Sequence, residues 1–189
     1  MIRDLIIKNR SYRRFYQEAA IGRGILEELI DLARLSSSSA NKQPLKYILS
    51  SDPKKNALIF RHLAWAGYLE DWSGPKEGER PAAYIIVLGD TQISESFGCD
   101  HGIAAQSILL GAVEKGFGGC IVASVKRIEL GEVLNIPSHY QILFVIALGK
   151  PNEKVVIEKV GAEGDIKYWR DENGVHHVPK RPLSEIIVG

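Results

Sequence analysis

Asn9-Arg10-Ser11-Tyr12-Arg13-Arg14-Phe15 places three guanidinium groups, a hydroxyl and an amide within seven residues. Arginine suits a phosphate because its planar fork donates two hydrogen bonds together. A short helix turning into a loop there lets Arg10, Ser11 and Arg13 converge on one anion, with Asn9 beside them. Taken alone, the run reads first as a solvated basic turn. A nucleic-acid arm would need neighbouring aromatic or basic stripes, which are absent. A second run, Ser36-Ser37-Ser38-Ser39-Ala40-Asn41-Lys42-Gln43-Pro44, is dense in small polar groups and amides. It suits hydrogen bonding to a planar heterocycle, and equally an ordinary polar loop. A third, Gly116-Phe117-Gly118-Gly119-Cys120, matches neither the dinucleotide fingerprint nor a P-loop. It reads as a helix stop before a buried strand, whose end at Val122-Ala123-Ser124 would let backbone come close to a ligand.

Nucleophile and metal chemistry find little support. There is no G-x-S-x-G elbow. Cys99-Asp100-His101 is too tight for zinc spacing and has no second ligand pair, so no metal site is expected. His176 and His177 alternate faces on an expected strand, so only one can face any given site. A chain without a nucleophile, base or metal of its own points to borrowed cofactor chemistry.

The elements that must position these residues fit one domain over 1–189, since 189 residues is close to the ~150 expected of one. Such a chain buries roughly 70% of its unfolded surface. Hydrophobic residues at 45% and charged residues at 25% exclude disorder as the organising feature. Lys plus Arg is 24 and Asp plus Glu is 23, so the net charge of +1 gives no global field for nucleic acid or an anionic membrane. No apolar run approaches the ~20 residues of a membrane helix. Met1-Ile2-Arg3-Asp4-Leu5 lacks a signal-peptide pattern. Cys99 and Cys120 read as free thiols in a reducing compartment, the cytoplasm by default.

Periodicity predicts helices over 2–9, 25–36 and 98–115, and a short one near 128–135. Asp52-Pro53 opens another as N-cap and first helical residue, running to about Trp65. Strands are expected over 45–50, 82–88, 120–123 and 141–148, the last stopped by Gly149-Lys150-Pro151. Residues 70–81 read as a polar loop whose flanking Tyr68 and Trp72 reach either a pocket mouth or the core. Asn173-Gly174 marks a hairpin between 168–170 and 175–178, followed by an apolar segment over 183–188. The result is a mixed α/β body with an extension too thin to stand alone, a second subunit being a candidate for what it packs on.

The order of these clusters resembles the FMN-dependent nitroreductase family. The carrying residues are Arg10-Ser11-Tyr12-Arg13-Arg14-Phe15, then Ser37-Ser38-Ser39-Ala40-Asn41-Lys42-Gln43-Pro44, the Ala/Leu-rich helix within 102–119, Gly149-Lys150-Pro151 and the basic pair Lys180-Arg181. Asn9 stands where the family pattern has an arginine, Ser37 where it has proline and Leu45 where it has tryptophan. The resemblance implies an α+β fold: a central mixed, mainly antiparallel sheet flanked by helices, with a C-terminal extension exchanged between the subunits of a homodimer. It implies FMN held by Asn9, Arg10, Ser11 and Arg13, with Lys180 or Arg181 completing the phosphate site. Ser37, Ser38, Ser39 and Asn41 of the other subunit would line the flavin, and the backbone of Val122, Ala123 and Ser124 would face its N5 edge. The implied activity is ping-pong hydride transfer from NAD(P)H through flavin N5 to a nitroaromatic, quinone or similar electrophile. Two other readings stay open: a flavin store or sensor without turnover, and a flavin-free domain gripping an anionic partner.

Overall fold

The computed structural model describes residues 1–189. The elements are α1 (Ile2–Lys8), β1 (Phe15–Tyr16), α2 (Arg23–Leu35), β2 (Leu45–Ser50), α3 (Pro53–Phe60), β3 (Ala83–Asp90), α4 (Asp100–Glu114), β4 (Gly118–Val122), α5 (Arg127–Val133), β5 (Tyr140–Pro151), β6 (Val155–Lys159), β7 (Trp169–Arg170), β8 (His176–Lys180) and α6 (Leu183–Ile186). A single 3-10 turn covers Ser39–Asn41.

β5 organises the central sheet. It pairs antiparallel with β3 on one edge, and with β4 and β1 end to end on the other, while β2 pairs with β3. The fold is α+β, as the motif order implied. A parallel bridge between Ser11 and Gly119 adds the arginine segment to the outer edge of β4.

All eight residues of β3 are buried because helices cover both faces of the sheet. Alternation sends Ala83, Ile85 and Val87 toward α2 and α4, where they meet Leu26, Leu29, Ala105 and Ile108. Tyr84, Ile86 and Leu88 go to the opposite core, with Ile59 of α3, Leu130 of α5 and Trp65. The small residues along α4 let α2 approach closely: a Cβ on Gly111 would lie 2.3 Å from Leu32 Cδ1.

Several boundaries differ from the sequence expectation. Asp52 does cap α3, its Oδ1 accepting from Lys55 N at 2.8 Å, but the helix ends at Phe60 rather than Trp65. Tertiary bonds draw the chain out of helical path. Leu63 bridges to Val125, Ala64 N donates to Ser124 O at 2.9 Å, and the Trp65 ring turns into the core. β5 runs through Gly149-Lys150-Pro151 because Pro151 closes the strand at its end, opposite Phe15. Gly149 leaves room for the Phe15 ring, which a Cβ would meet at 2.7 Å. β1 and β6 were not expected.

The extension packs on its own chain rather than standing off the body. β8 pairs parallel with β6 and antiparallel with β7, confirming the Trp169–Arg170 hairpin. The Glu153 side chain, 1% exposed, ties this small sheet down: it accepts from Arg170 Nη2 at 2.8 Å and from the backbone amides of Arg13 and Arg14. The Trp72 ring lies 4.4 Å from the Arg170 guanidinium, and the Tyr68 and Tyr168 rings pack tilted, with centroids 4.9 Å apart. The apolar tail beyond it, with Leu183, Ile186, Ile187 and Val188, is exposed.

Gly119 is required by close approach. A Cβ there would sit 2.4 Å from Ala147 O, a backbone atom in the middle of the sheet. Gly119→Ala should cost about 1–3 kcal/mol. Urea unfolding checks this, and an unchanged midpoint would refute it.

Candidate functional site

The arginine segment leaves α1 and runs along β4. Tyr12 N donates to Gly119 O at 3.1 Å, and Glu153 holds the next two amides. This fixed backbone decides where each arginine goes. Arg14 turns away and pairs with Glu79 through Nε at 2.9 Å and Nη2 at 2.5 Å. That bond holds the Glu79 carboxyl below its ordinary pKa. Arg10 and Arg13 face a pocket of about 310 Å³, with Asn9, Ser11 and Lys180 also in its wall. Lys180 arrives on β8, so Glu153 and the small sheet bring the C-terminal cation to the N-terminal ones.

Three cations and no carboxylate line this pocket. Arg10 Nη2 donates to Ile6 O at 2.8 Å, and its buried Nε has no partner. Burial lowers the Arg10 pKa, a penalty on its charge that an incoming anion would offset. Arg13 Nη1 lies 3.2 Å from Ser11 O and 3.3 Å from His176 Nε2, and its guanidinium stands 4.8 Å from the Tyr168 ring. Asn9 Nδ2 reaches Gln106 of α4 at 3.4 Å. The donor set suits a phosphate. Arg181 is not in the wall; it pairs with Glu185 at 3.0 Å in the tail.

The serine loop lies elsewhere on the chain. Asp100, at the start of α4 and 4% exposed, accepts from Ser38 Oγ at 2.6 Å and from Ser39 N at 2.9 Å. These bonds hold a turn in which Ala40, Asn41 and Gln43 have φ of 49°, 55° and 52°. Ser37 and Ser38 line a separate cavity of about 350 Å³, and Ser37, Ser39 and Asn41 are exposed. The two cavities share no lining residue, so a single chain does not bring this loop to the arginine pocket. Past the end of β4, the Ala123 and Ser124 N–H groups have no partner within the chain.

Tyr168, His176, Gln106 and Glu153 were missed as site residues. His176 and His177 do take opposite faces. His176 is buried at the pocket, whereas His177 lies between Glu158 at 2.5 Å and Asp171 at 3.4 Å. No periodic signal in the sequence places Glu153 beside Arg13 or Gln106 beside Asn9.

The two histidines shape stability against pH in opposite senses. Burial, then the charges of Arg13, Arg170 and His177, lowers the His176 pKa from 6.5 to about 4. The unfolded chain therefore binds the extra proton first, and stability falls as pH drops from about 6.5 toward 4, by at most about 3 kcal/mol. The hydrogen bond to Glu158 raises the His177 pKa, so its contribution is present below 6.5 and is lost as pH rises through the raised value. Urea midpoints should peak near pH 6.5. His176→Leu should flatten the acid arm and His177→Gln the alkaline arm; variants that keep both arms would contradict the assignment.

Comparison with known proteins bears on the family and the fold. The family model described as the nitroreductase family matches residues 6–150. A chromium(VI) reductase from Pseudomonas sp. strain G-1 is 24% identical over 172 residues, covering 80% of this chain and 67% of that protein. Among solved structures, a nitroreductase family protein from Streptococcus pneumoniae TIGR4 is 17% identical with a TM-score of 0.73, covering 100% of both chains. The NADPH:FMN oxidoreductase from Vibrio harveyi, solved with NAD⁺, is 21% identical with a TM-score of 0.66, covering 97% of this chain and 80% of that one. At these identities the two structures establish the shared fold.

Proposed function

We propose that this chain, which belongs to the nitroreductase family and is an oxidoreductase, uses FMN to pass hydride from NAD(P)H to a small electrophilic acceptor. The observation that carries the reading is the pocket wall of Arg10, Arg13 and Lys180 with no carboxylate among them. A phosphate monoester matches that charge, and the buried, unpartnered Arg10 Nε supplies a donor aimed at no group of the protein.

When bound, the flavin supplies reversible hydride exchange at N5, taking hydride from NAD(P)H and giving it to the acceptor. The residues of the chain bind and orient. Arg10, Ser11, Arg13 and Lys180 take the phosphate and the adjoining ribityl, with Asn9 at the edge. The Ala123 and Ser124 amides, beside Val122, have no partner within the chain and would be free to donate to the N5 edge of a bound flavin. Such fixed donors act without reorganisation when charge moves onto the ring. Ser37, Ser38, Ser39 and Asn41 come from the partner subunit, which is why their loop sits apart from the pocket in one chain.

A homodimer would complete the site, and the separation of the serine loop from the arginine pocket within one chain supports it. The exposed apolar tail of Leu183, Ile186, Ile187 and Val188 is the segment exchanged with the partner, and it carries Arg181 with it. Acceptors in reach are nitroaromatics, quinones and other small oxidants; the Pseudomonas relative is named for chromium(VI) reduction. No helix is long and apolar enough to cross a membrane, and Cys99 and Cys120 are free thiols. We assign the protein to the cytoplasm.

The test is the visible spectrum of the purified protein with FMN, followed by NADH or NADPH without oxygen. A flavin spectrum that bleaches on adding nicotinamide is expected. A bound flavin that does not bleach would leave a store or sensor, and no flavin binding would overturn the reading.

A further inference from the structure

The C-terminal sheet contributes more than Lys180 to the arginine pocket. His176 enters the site on β8, 1% exposed, with Nε2 3.3 Å from Arg13 Nη1. A guanidinium has only donors, so this contact is a hydrogen bond only when Nε2 is an unprotonated acceptor. The proton of the neutral ring then sits on Nδ1, which is buried and has no partner. A buried unpaired donor costs about 1–3 kcal/mol. A leucine at this position would avoid that cost, so stability gives no reason for a histidine here. What the ring provides is a hold on Arg13.

Arg13 needs such a hold. Its other contacts are the Ser11 carbonyl at 3.2 Å and the Tyr168 ring at 4.8 Å. No carboxylate fixes its side chain, whereas Glu79 fixes that of Arg14. A carboxylate would compete with a bound anion for the guanidinium. A neutral acceptor orients it without neutralising it. The Tyr168 ring, just ahead of β7, also packs on His176 with centroids 5.2 Å apart, so both supports come from the C-terminal extension.

We propose that His176 is a positioning residue of the pocket: as a neutral imidazole it accepts a hydrogen bond from Arg13 and fixes that guanidinium for a phosphate. The proposal rests on the reading of the pocket as the FMN phosphate site. The groups around the ring agree with a neutral state. Arg13, Arg170 and His177 all disfavour its protonation, and the backbone N of His176 is engaged by Lys154 O at 2.8 Å. The ordinary pKa of 6.5 is accordingly lowered to about 4.

The test compares FMN with riboflavin, which lacks the phosphate. His176→Phe keeps a ring and removes the acceptor; His176→Gln keeps an acceptor. Phe should weaken FMN binding about 10-fold with riboflavin unchanged, and Gln should recover most of the loss. In an Arg13→Ala background, His176→Phe should have no further effect on FMN. An unchanged FMN affinity in His176→Phe, or an equal loss for riboflavin, overturns the proposal. If Arg13→Ala itself leaves FMN binding intact, the phosphate-site reading has failed instead. Imidazole nitrogen shifts of the unmutated protein serve even if a variant does not fold. The Nδ1–H tautomer at neutral pH is expected, and the Nε2–H tautomer or an imidazolium overturns the assignment.

Discussion

Arg13→Ala is expected to weaken FMN binding about 100-fold while leaving riboflavin binding close to unchanged. A hydrogen bond to a charged group contributes about 1.5–3 kcal/mol, and the upper part of that range is about a 100-fold change. The pocket amplifies the loss because only Arg10 and Lys180 then remain to meet a phosphate. Arg14 cannot substitute, being held by Glu79 at 2.5 Å. Fluorescence titration with both flavins measures the difference. Arg13→Lys should fall between, since it keeps the charge and loses the fork. Arg13→Ala binding FMN as tightly as the unmutated chain would remove the phosphate from this pocket.

The second large effect concerns stability. Glu153→Ala should destabilise the protein by about 3–5 kcal/mol, because removing one partner of a buried ion pair leaves the other charge uncompensated. The Glu153 side chain is 1% exposed and that of Arg170 15%. The change would leave Arg170 with the Trp72 ring and would strip the Arg13 and Arg14 amides of their acceptor. Glu153→Gln should cost less, since its carbonyl oxygen can still accept. Urea unfolding gives the magnitude, and a loss below about 1 kcal/mol in Glu153→Ala would refute the account. FMN affinity should fall together with stability, since the same carboxylate sets the backbone that aims Arg13.

Much of the molecule was legible before folding. The continuous apolar runs of β3 and β5, the small-residue face of α4 and the Asp52-Pro53 start of α3 are local signals, set by side-chain period and capping chemistry. The arginine segment stood out because three guanidinium groups in five residues are a dense charge whatever the fold. Helix α3 shows the opposite case. Its composition favours continuing to Trp65, but Ser124 and Val125 bind residues 63–64 and end it early.

By itself the sequence determined the main helices, the strands of the central sheet other than β1, and the residue types that meet an anion, because these follow from the spacing of neighbours along the chain. Tertiary structure alone decided which arginines face the pocket, that the extension folds onto its own body, and that Glu153, Tyr168, His176 and Gln106 join the site. Those outcomes depend on contacts between residues far apart in the chain, beyond the reach of any local period. Arg13 and His176 are separated by 163 positions and Asn9 and Gln106 by 97. No local period records such a meeting; it exists only once β4, β5 and β8 have brought the strands together.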